Sequence, residues 1–257
     1  MLLKNLKKHL LRIIPLREYI LSVIDIVRPR SFGQLGEDAV IANHIGWLGL
    51  PVNKKGAYVD IGAYHPTRGS NSYYFYRNGS PGYAVDIGRR KKRVWRVFRP
   101  RDTFINAAVV PDSWGNRTVK FVMQDGYGQA TDHFVGAGVG LTKTGAGGGT
   151  AVTVMTAHEF SEVIAADDSW AKAPWKFVSI DIEGIDTEFV NDFDLERIKP
   201  DVIAIESFLP ENVPDWDKIS YLANSCDLVR NLGNRGYNLQ SVCGPTLIFV
   251  RVESKKR

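Results

Sequence analysis

The stretch from Gly56 to Gly79, GAYVDIGAYHPTRGSNSYYFYRNG, narrows the folds open to this chain more than any other. An apolar, β-prone run, Ala57-Tyr58-Val59, ends on an acid, Asp60, and continues as Ile61-Gly62-Ala63. After a short turn, the aromatic segment from Ser72 to Tyr76 fits a helix of period 3.6. A buried strand, a glycine turn and a helix form the first half of a βαβ unit. In open α/β sheets, ligands bind beyond the carboxyl ends of such strands. The turn after Asp60 is therefore expected to cradle a ligand.

The turn also indicates which ligand. A dinucleotide site requires G-x-G-x-x-G here, because a pyrophosphate needs close backbone approach. Only Gly62 is in place; Tyr64 and His65 fill the next positions and Gly69 comes late. S-adenosylmethionine (SAM) carries no phosphate, but it does carry an ammonium, a sulfonium and a ribose diol, and a strand-end carboxylate is a good partner for these. Capping of the following helix is the plainer role for Asp60. Ala63, Tyr64, Ser70 and Asn71 lie on the same turn and are counted with the cofactor contacts. A second apolar run, Tyr83-Ala84-Val85, also ends on an acid, Asp86. In nucleotide folds an acid at about this distance, roughly 20 residues on, binds the ribose diol.

The chain has 257 residues, which fits one α/β domain, or one domain with an appendage. Its net charge of +5 is carried by the leader, residues 1–30, which holds seven Lys/Arg and two acids. The domain, residues 31–257, is thus neutral overall. In the leader, Leu3, Leu6, Leu10 and Ile13 make one apolar helical stripe, and Pro15 ends or kinks the first helix. No uncharged run there approaches the ~20 residues of a membrane span. The pattern suits a basic helix lying on an anionic membrane surface, and equally one packed on the domain. The expected location is cytoplasmic or membrane-peripheral. Two cysteines, Cys226 and Cys243, give neither a disulfide framework nor a zinc spacing. Two reduced thiols are expected, with a single bond between them as the alternative.

A basic run, Arg89 to Arg101, holds eight cationic residues and no acid. It reads as a solvated helix face, or as a landing patch for an anionic acceptor such as a phosphorylated glycan or a nucleic acid. Trp95 and Phe98 are expected to pack inward, and no recognised RNA- or DNA-binding motif accompanies the run. Upstream, SFGQLGEDAVIANHIGWL places a helix over Asp38–Leu48, with Gln34, Glu37 and Asp38 near the cofactor's amino-acid end.

Five segments resemble the FkbM family of SAM-dependent methyltransferases. They are FGQLGEDAVI (32–41), YVDIGAYHPTRGSNSYYFYRNG (58–79), RPRDTFINAAV (99–109), FVSIDIEGIDTEFV (177–190) and RIKPDVIAIE (197–206). They fall in the family's order and span roughly residues 31–252. The resemblance implies a Rossmann-like class I methyltransferase fold: a mostly parallel seven-stranded sheet with an antiparallel last strand and helices on both faces. It implies O-methylation of a sugar or secondary metabolite. It assigns Asp60 and Gly62 to the SAM turn, Asp86 to the ribose, and Asn106 and Ala107 to the adenine side. Ile87 stands where the family commonly has Pro, and Tyr64 where it has a small or polar residue.

In the back half, a third strand is expected over Thr103–Val110, and exposed-edge strands over Thr118–Met123 and Ala151–Met155. Between these, GAGVGLTKTGAGGG (136–149) has seven glycines and lacks the G-K-[ST] of a phosphate loop; it reads as a mobile lid or a plain connector. A central fourth strand, KFVSIDIE, brings Asp181 and Glu183 to the sheet edge that holds Asp60. A fifth ends on Glu206, and a β pair around the turn Gly244-Pro245 closes the sheet. Methyl transfer from a sulfonium is an in-line displacement helped by alignment and by a base for the hydroxyl proton. Asp181, Glu183 and His65 are the candidate bases; Asp181 also stands with the cofactor contacts. No metal-ligand motif is visible, although clustered acids have the chemistry of a Mg²⁺ site. The rival readings are an RNA methyltransferase using the basic run, and a SAM-binding scaffold without turnover.

Overall fold

A computed structural model of the chain describes residues 31–88, 91–114, 120–123, 132–135, 150–151, 153–182, 185–207, 213–214 and 217–252. The leader, the glycine-rich segment 136–149, Glu183, Arg89 and Arg90 lie outside the described residues.

Continuous apolar runs dictate strands buried on both faces. The main sheet contains β1 (Ala57–Ile61), β2 (Gly82–Val85), β3 (Thr103–Ile105), β9 (Lys176–Ile180), β10 (Val202–Glu206), β11 (Tyr237–Cys243) and β12 (Thr246–Arg251), in the order β11-β12-β10-β9-β1-β2-β3. Numbered within this sheet alone, the strands run 3-2-1-4-5-7-6. β1, β2, β3, β9 and β10 are mutually parallel. β12 is antiparallel to both β10 and β11, so it alone is reversed. This is the Rossmann-like architecture, with its antiparallel last strand, that the resemblance implies.

Alternation along the strands sorts side chains into two apolar layers. Val59, Ile61, Val178, Ile180, Ile203 and Ile205 join one cluster under α4 (Ala157–Ala165), α6 (Asp186–Asp192), α7 (Leu195–Ile198) and α9 (Asp227–Asn234). Tyr58, Phe177, Val202, Ala204 and Ile248 join the other, under α1 (Glu37–Trp47) and α2 (Tyr73–Arg77). The remaining helices are α3 (Lys91–Phe98), α5 (Asp168–Lys172) and α8 (Lys218–Asn224). Helices thus cover both faces. Among the described residues, no helix is long and apolar enough to cross a membrane.

Three expectations change. The third strand is interrupted at Asn106-Ala107: β3 stays in the main sheet, whereas β4 (Ala108–Val110) pairs in parallel with β8 (Val154–Thr156). The back-half strands are therefore not one edge, since β5 (Lys120–Met123) pairs with β6 (Asp132–Val135) and β7 (Thr150–Ala151) in a separate sheet. The fourth strand ends at Ile180, so Asp181 lies past its end, and Glu183 is outside the described residues. Both cysteines are free, Cys226 buried and Cys243 half-buried.

Gly62 fixes how the first turn meets β9. Its φ is +79°, and an added Cβ would lie 1.6 Å from the Asp181 carbonyl oxygen, a backbone atom with no freedom to retreat. The turn is pinned further by Gly62 and Ala63 N–H groups donating to Val85 O, and by Asp181 N–H donating to Ile61 O. Gly62→Ala is expected to lower unfolding stability by roughly 3 kcal/mol or more, at the top of the range for point changes. Gly46, inside α1, has open space around its Cβ position. Gly46→Ala is expected to raise stability by roughly 0.5–1 kcal/mol. Chemical denaturation of both variants checks the pair, and equal effects would contradict this account of the turn.

Candidate functional site

Parallel strands deliver their carboxyl ends to one edge, and the sheet order reverses between β1 and β9, which makes a crevice there. Its floor is built from Ile180 at the end of β9 and Asp181 just past it, Glu206 at the tip of β10 and Thr246 at the start of β12. Gln34, Leu35 and Glu37 come from the segment entering α1, and Gly69 and Asn71 from the turn after β1. The cleft spans about 380 Å³, counting space open to solvent. The ten lining residues include three carboxylates and no Lys, Arg or His.

Several lining groups are already held. Glu37 is buried at the N-terminus of α1 and accepts from Leu35 N–H at 2.9 Å. Asn71 donates through Nδ2 to Ser179 Oγ at 3.1 Å. The loop beyond Asp181 is closed by Ile182 N–H donating to Asp186 Oδ1 at 2.8 Å.

Asp86 stands at the tip of β2, one strand over from Gly62. Its Oδ1 accepts from Gly88 N–H at 2.6 Å, and its Oδ2 is 2.9 Å from Lys91 Nζ. Asn106, just past β3, donates through Nδ2 to Asp86 O at 2.8 Å, and Ala107 is buried beside it. Tyr64 carries the left-handed φ of +40°, uncommon for a residue with a side chain, and its ring lies 4.5 Å from Lys91 Nζ. Asp86, Asn106, Gly62 and Tyr64 therefore converge, as the sequence places them.

Asp60 differs. Alternation puts it on the same face as Tyr58, away from the cleft lining, and Ser72 Oγ donates to its Oδ2. Burial pushes its carboxyl above the usual range, against the pull of Arg99 and the Ser72 hydrogen bond. Arg99 is the hub of this region. Its side chain is 0% exposed, and its Nε lies 2.6 Å from Asp102 Oδ2 as an ion pair without an aligned hydrogen bond. Its Nη2 donates to Tyr58 Oη at 2.8 Å and to Ser72 Oγ at 2.9 Å. Its Nη1 donates to Ser70 Oγ at 3.2 Å and to Pro66 O at 3.3 Å. The guanidinium also faces the rings of Trp95, Tyr76 and Tyr58 at 4.5, 5.2 and 5.3 Å. Ser70 thus belongs to the support beneath the turn, not to the cleft.

His65 also moves out of the candidate bases. It is buried, and its Nδ1 accepts from Thr67 N–H at 3.2 Å and from Arg68 N–H at 3.1 Å. That lone pair is spent on shaping the turn. Arg99, Asp102, Ser72 and Lys91 were not singled out in the sequence; an acid one place after the basic run, in R-P-R-D, was the available signal. The basic run itself splits, because Arg99 is interior and Arg101 donates to Tyr76 O. Among the described residues, no group of three or more His, Cys, Asp or Glu is placed to hold a metal.

The sequence matches no protein-family model and no curated protein. One solved structure with a similar course is the Burkholderia thailandensis 1,6-didemethyltoxoflavin-N1-methyltransferase, crystallised with 1,6-didemethyltoxoflavin and S-adenosylhomocysteine. It is 9% identical, with 86% of this chain and 80% of that one covered and a TM-score of 0.39. At that distance nothing about ligand or activity transfers.

Removing the hub leaves two buried carboxyls without their cation. Arg99→Met is expected to cost roughly 3–5 kcal/mol at neutral pH, the usual effect of breaking a buried pair from one side. Asp60 and Asp102 are both raised by burial and lowered by Arg99, so the variant raises them further. A raised carboxyl stabilises the protonated folded state, and that contribution fades as pH rises through its folded pKa. The deficit of the variant should therefore shrink as pH falls, measured by denaturant unfolding across a pH series. A deficit that grows in acid would contradict the assignment.

Proposed function

We infer that this chain is a SAM-dependent methyltransferase that methylates a hydroxyl of a sugar, glycan or secondary metabolite. The observation that carries this reading is the charge of the crevice. A cleft at the topological switch point, lined by Glu37, Asp181 and Glu206 with no cationic residue, attracts an ammonium or sulfonium. The same lining repels a dinucleotide pyrophosphate. The tip carboxylate of Asp86 has acceptor capacity for two ribose hydroxyls, and the amide of Asn106 holds the backbone beneath it. The donor set thus fits the cofactor in chemistry, while Lys91 and Tyr64 take up the space over Asp86.

When bound, the cofactor supplies an electrophilic methyl group. The chain's part is positioning and charge. Asp86 orients the ribose end. Gly62 brings the turn after β1 directly against the Asp181 backbone. Asp181 takes the hydroxyl proton of the acceptor. Glu206 and Asn71 line the same cleft. The O-methylating activity and the sugar-like acceptor rest on the FkbM-like motifs. The burial of Arg99 removes one cation from the basic run, which weakens the case for an RNA acceptor reading it.

Calorimetric titration of SAM into the full chain tests the cofactor. Wild type is expected to bind, and Asp86→Asn to bind about tenfold more weakly or worse, since hydrogen bonds to a charged acceptor are worth roughly 1.5–3 kcal/mol. A labelled-methyl assay against cell-envelope glycolipid extract tests turnover. Asp181→Asn is expected to lower transfer by about 10²–10⁴-fold, as for loss of a general base, and to weaken SAM binding by a much smaller factor. Binding without transfer would favour the scaffold reading, and absence of binding would remove the enzyme.

A further inference from the structure

We propose that Lys91 is a built-in cover for Asp86, seated on the ribose end of the site and displaced when the nucleoside binds. This rests on the SAM reading above. Asp86 is only 6% exposed at its side chain, and of its two described partners one is fixed and one is movable. Gly88 N–H on Oδ1 is backbone. Lys91 on Oδ2 is a flexible side chain, 26% exposed, at the first position of α3. A ribose diol reaches this carboxylate only if the lysine swings away.

The surroundings are shaped around that lysine. Gly88 lacks a side chain where the lysine stem crosses it: an added Cβ would sit 2.6 Å from Lys91 Cδ and 2.8 Å from Asp86 Oδ1. The ammonium rests 4.5 Å from the centre of the Tyr64 ring, a cation–π distance. Tyr64 adopts its left-handed backbone at φ +40° and is itself held by Arg68, whose Nη2 donates to Tyr64 Oη at 3.0 Å. Strain of this kind persists where the surroundings enforce it, and it concentrates at ligand clamps. Asp86, Gly88 and Tyr64 thus form a seat for one ammonium. Two ribose hydroxyls replace it on the carboxylate, and the adenine or ribose face replaces it on the tyrosine ring. In this way a near-buried carboxylate keeps a counter-ion when no nucleoside is bound.

Two measurements with S-adenosylhomocysteine, which lacks the sulfonium charge, test the cover. In the wild-type full chain, labelling of Lys91 by an amine-reactive acetylating reagent, read by mass spectrometry, should rise severalfold when the ligand is added. By calorimetry, Lys91→Met should bind the ligand about five- to tenfold more tightly than wild type, and Lys91→Arg should stay within about twofold of wild type. Labelling that is unchanged or falls, or weaker binding by Lys91→Met, overturns the proposal. If wild type binds and Asp86→Asn binds poorly while Lys91→Met is unchanged, the cover fails and the SAM reading stands. If wild type shows no binding, both fail.

Discussion

The guanidinium of Arg99 is the interaction on which the rest of the site depends. It is fully buried, it faces three aromatic rings, and it connects the first strand, the turn after it and the segment entering β3. Taking such a charge from water costs several kcal/mol. The cost is offset here because Asp102, Asp60, Tyr58, Ser70, Ser72 and a backbone carbonyl surround it with acceptors. The network leaves little freedom to the turn that runs from Gly62 to Ser72. His65 adds a second brace from inside that turn. The ligand-facing residues then ride on a rigid base, which is what a methyl-transfer site requires if alignment supplies much of its rate.

From that base the crevice divides into two parts with different chemistry. Over β1 and β2, Asp86 and Tyr64 offer a carboxylate and an aromatic face, currently satisfied by Lys91. Over β9, β10 and β12, the lining is acidic and amide-rich, with Leu35 exposed at its lip. Asp181 stands between the two parts, its backbone packed against Gly62. On the proposed reading the cofactor spans both parts, its ribose on Asp86 and its ammonium toward the acidic lining, and that reading rests on these residues because fold alone does not carry function.

Much of this was legible in the sequence, for reasons particular residues make clear. The strand-tip position of Asp86 was readable because the apolar run before it has the length of a buried strand. Gln34 and Glu37 were readable as polar residues beside apolar ones in the segment entering the first helix, and Asn71 as part of the turn after Asp60, and the structure brings all three to the cleft. Asp60 was harder. It ends the apolar run as Asp86 does, but the residue parity of β1 turns it toward Tyr58 and the buried arginine, and parity relative to a helix layer is a tertiary fact. Arg99 was hidden inside a run of cations, because nothing local separates a solvated arginine from an interior one. The early end of β9 was likewise set by the closure of Ile182 onto Asp186 and not by propensity.

On the reading proposed above, the edge formed by the tips of β1, β2 and β9 holds an S-adenosyl nucleoside. Amide chemical-shift mapping of the full chain with S-adenosylhomocysteine tests it most directly. The account predicts the largest shifts at Gly62, Tyr64, Asp86 and Asn106, with smaller ones at Asp181 and little at the opposite end of the strands, around Thr103 and Ser169. Shifts confined to that opposite end, or none at saturating ligand, would contradict it.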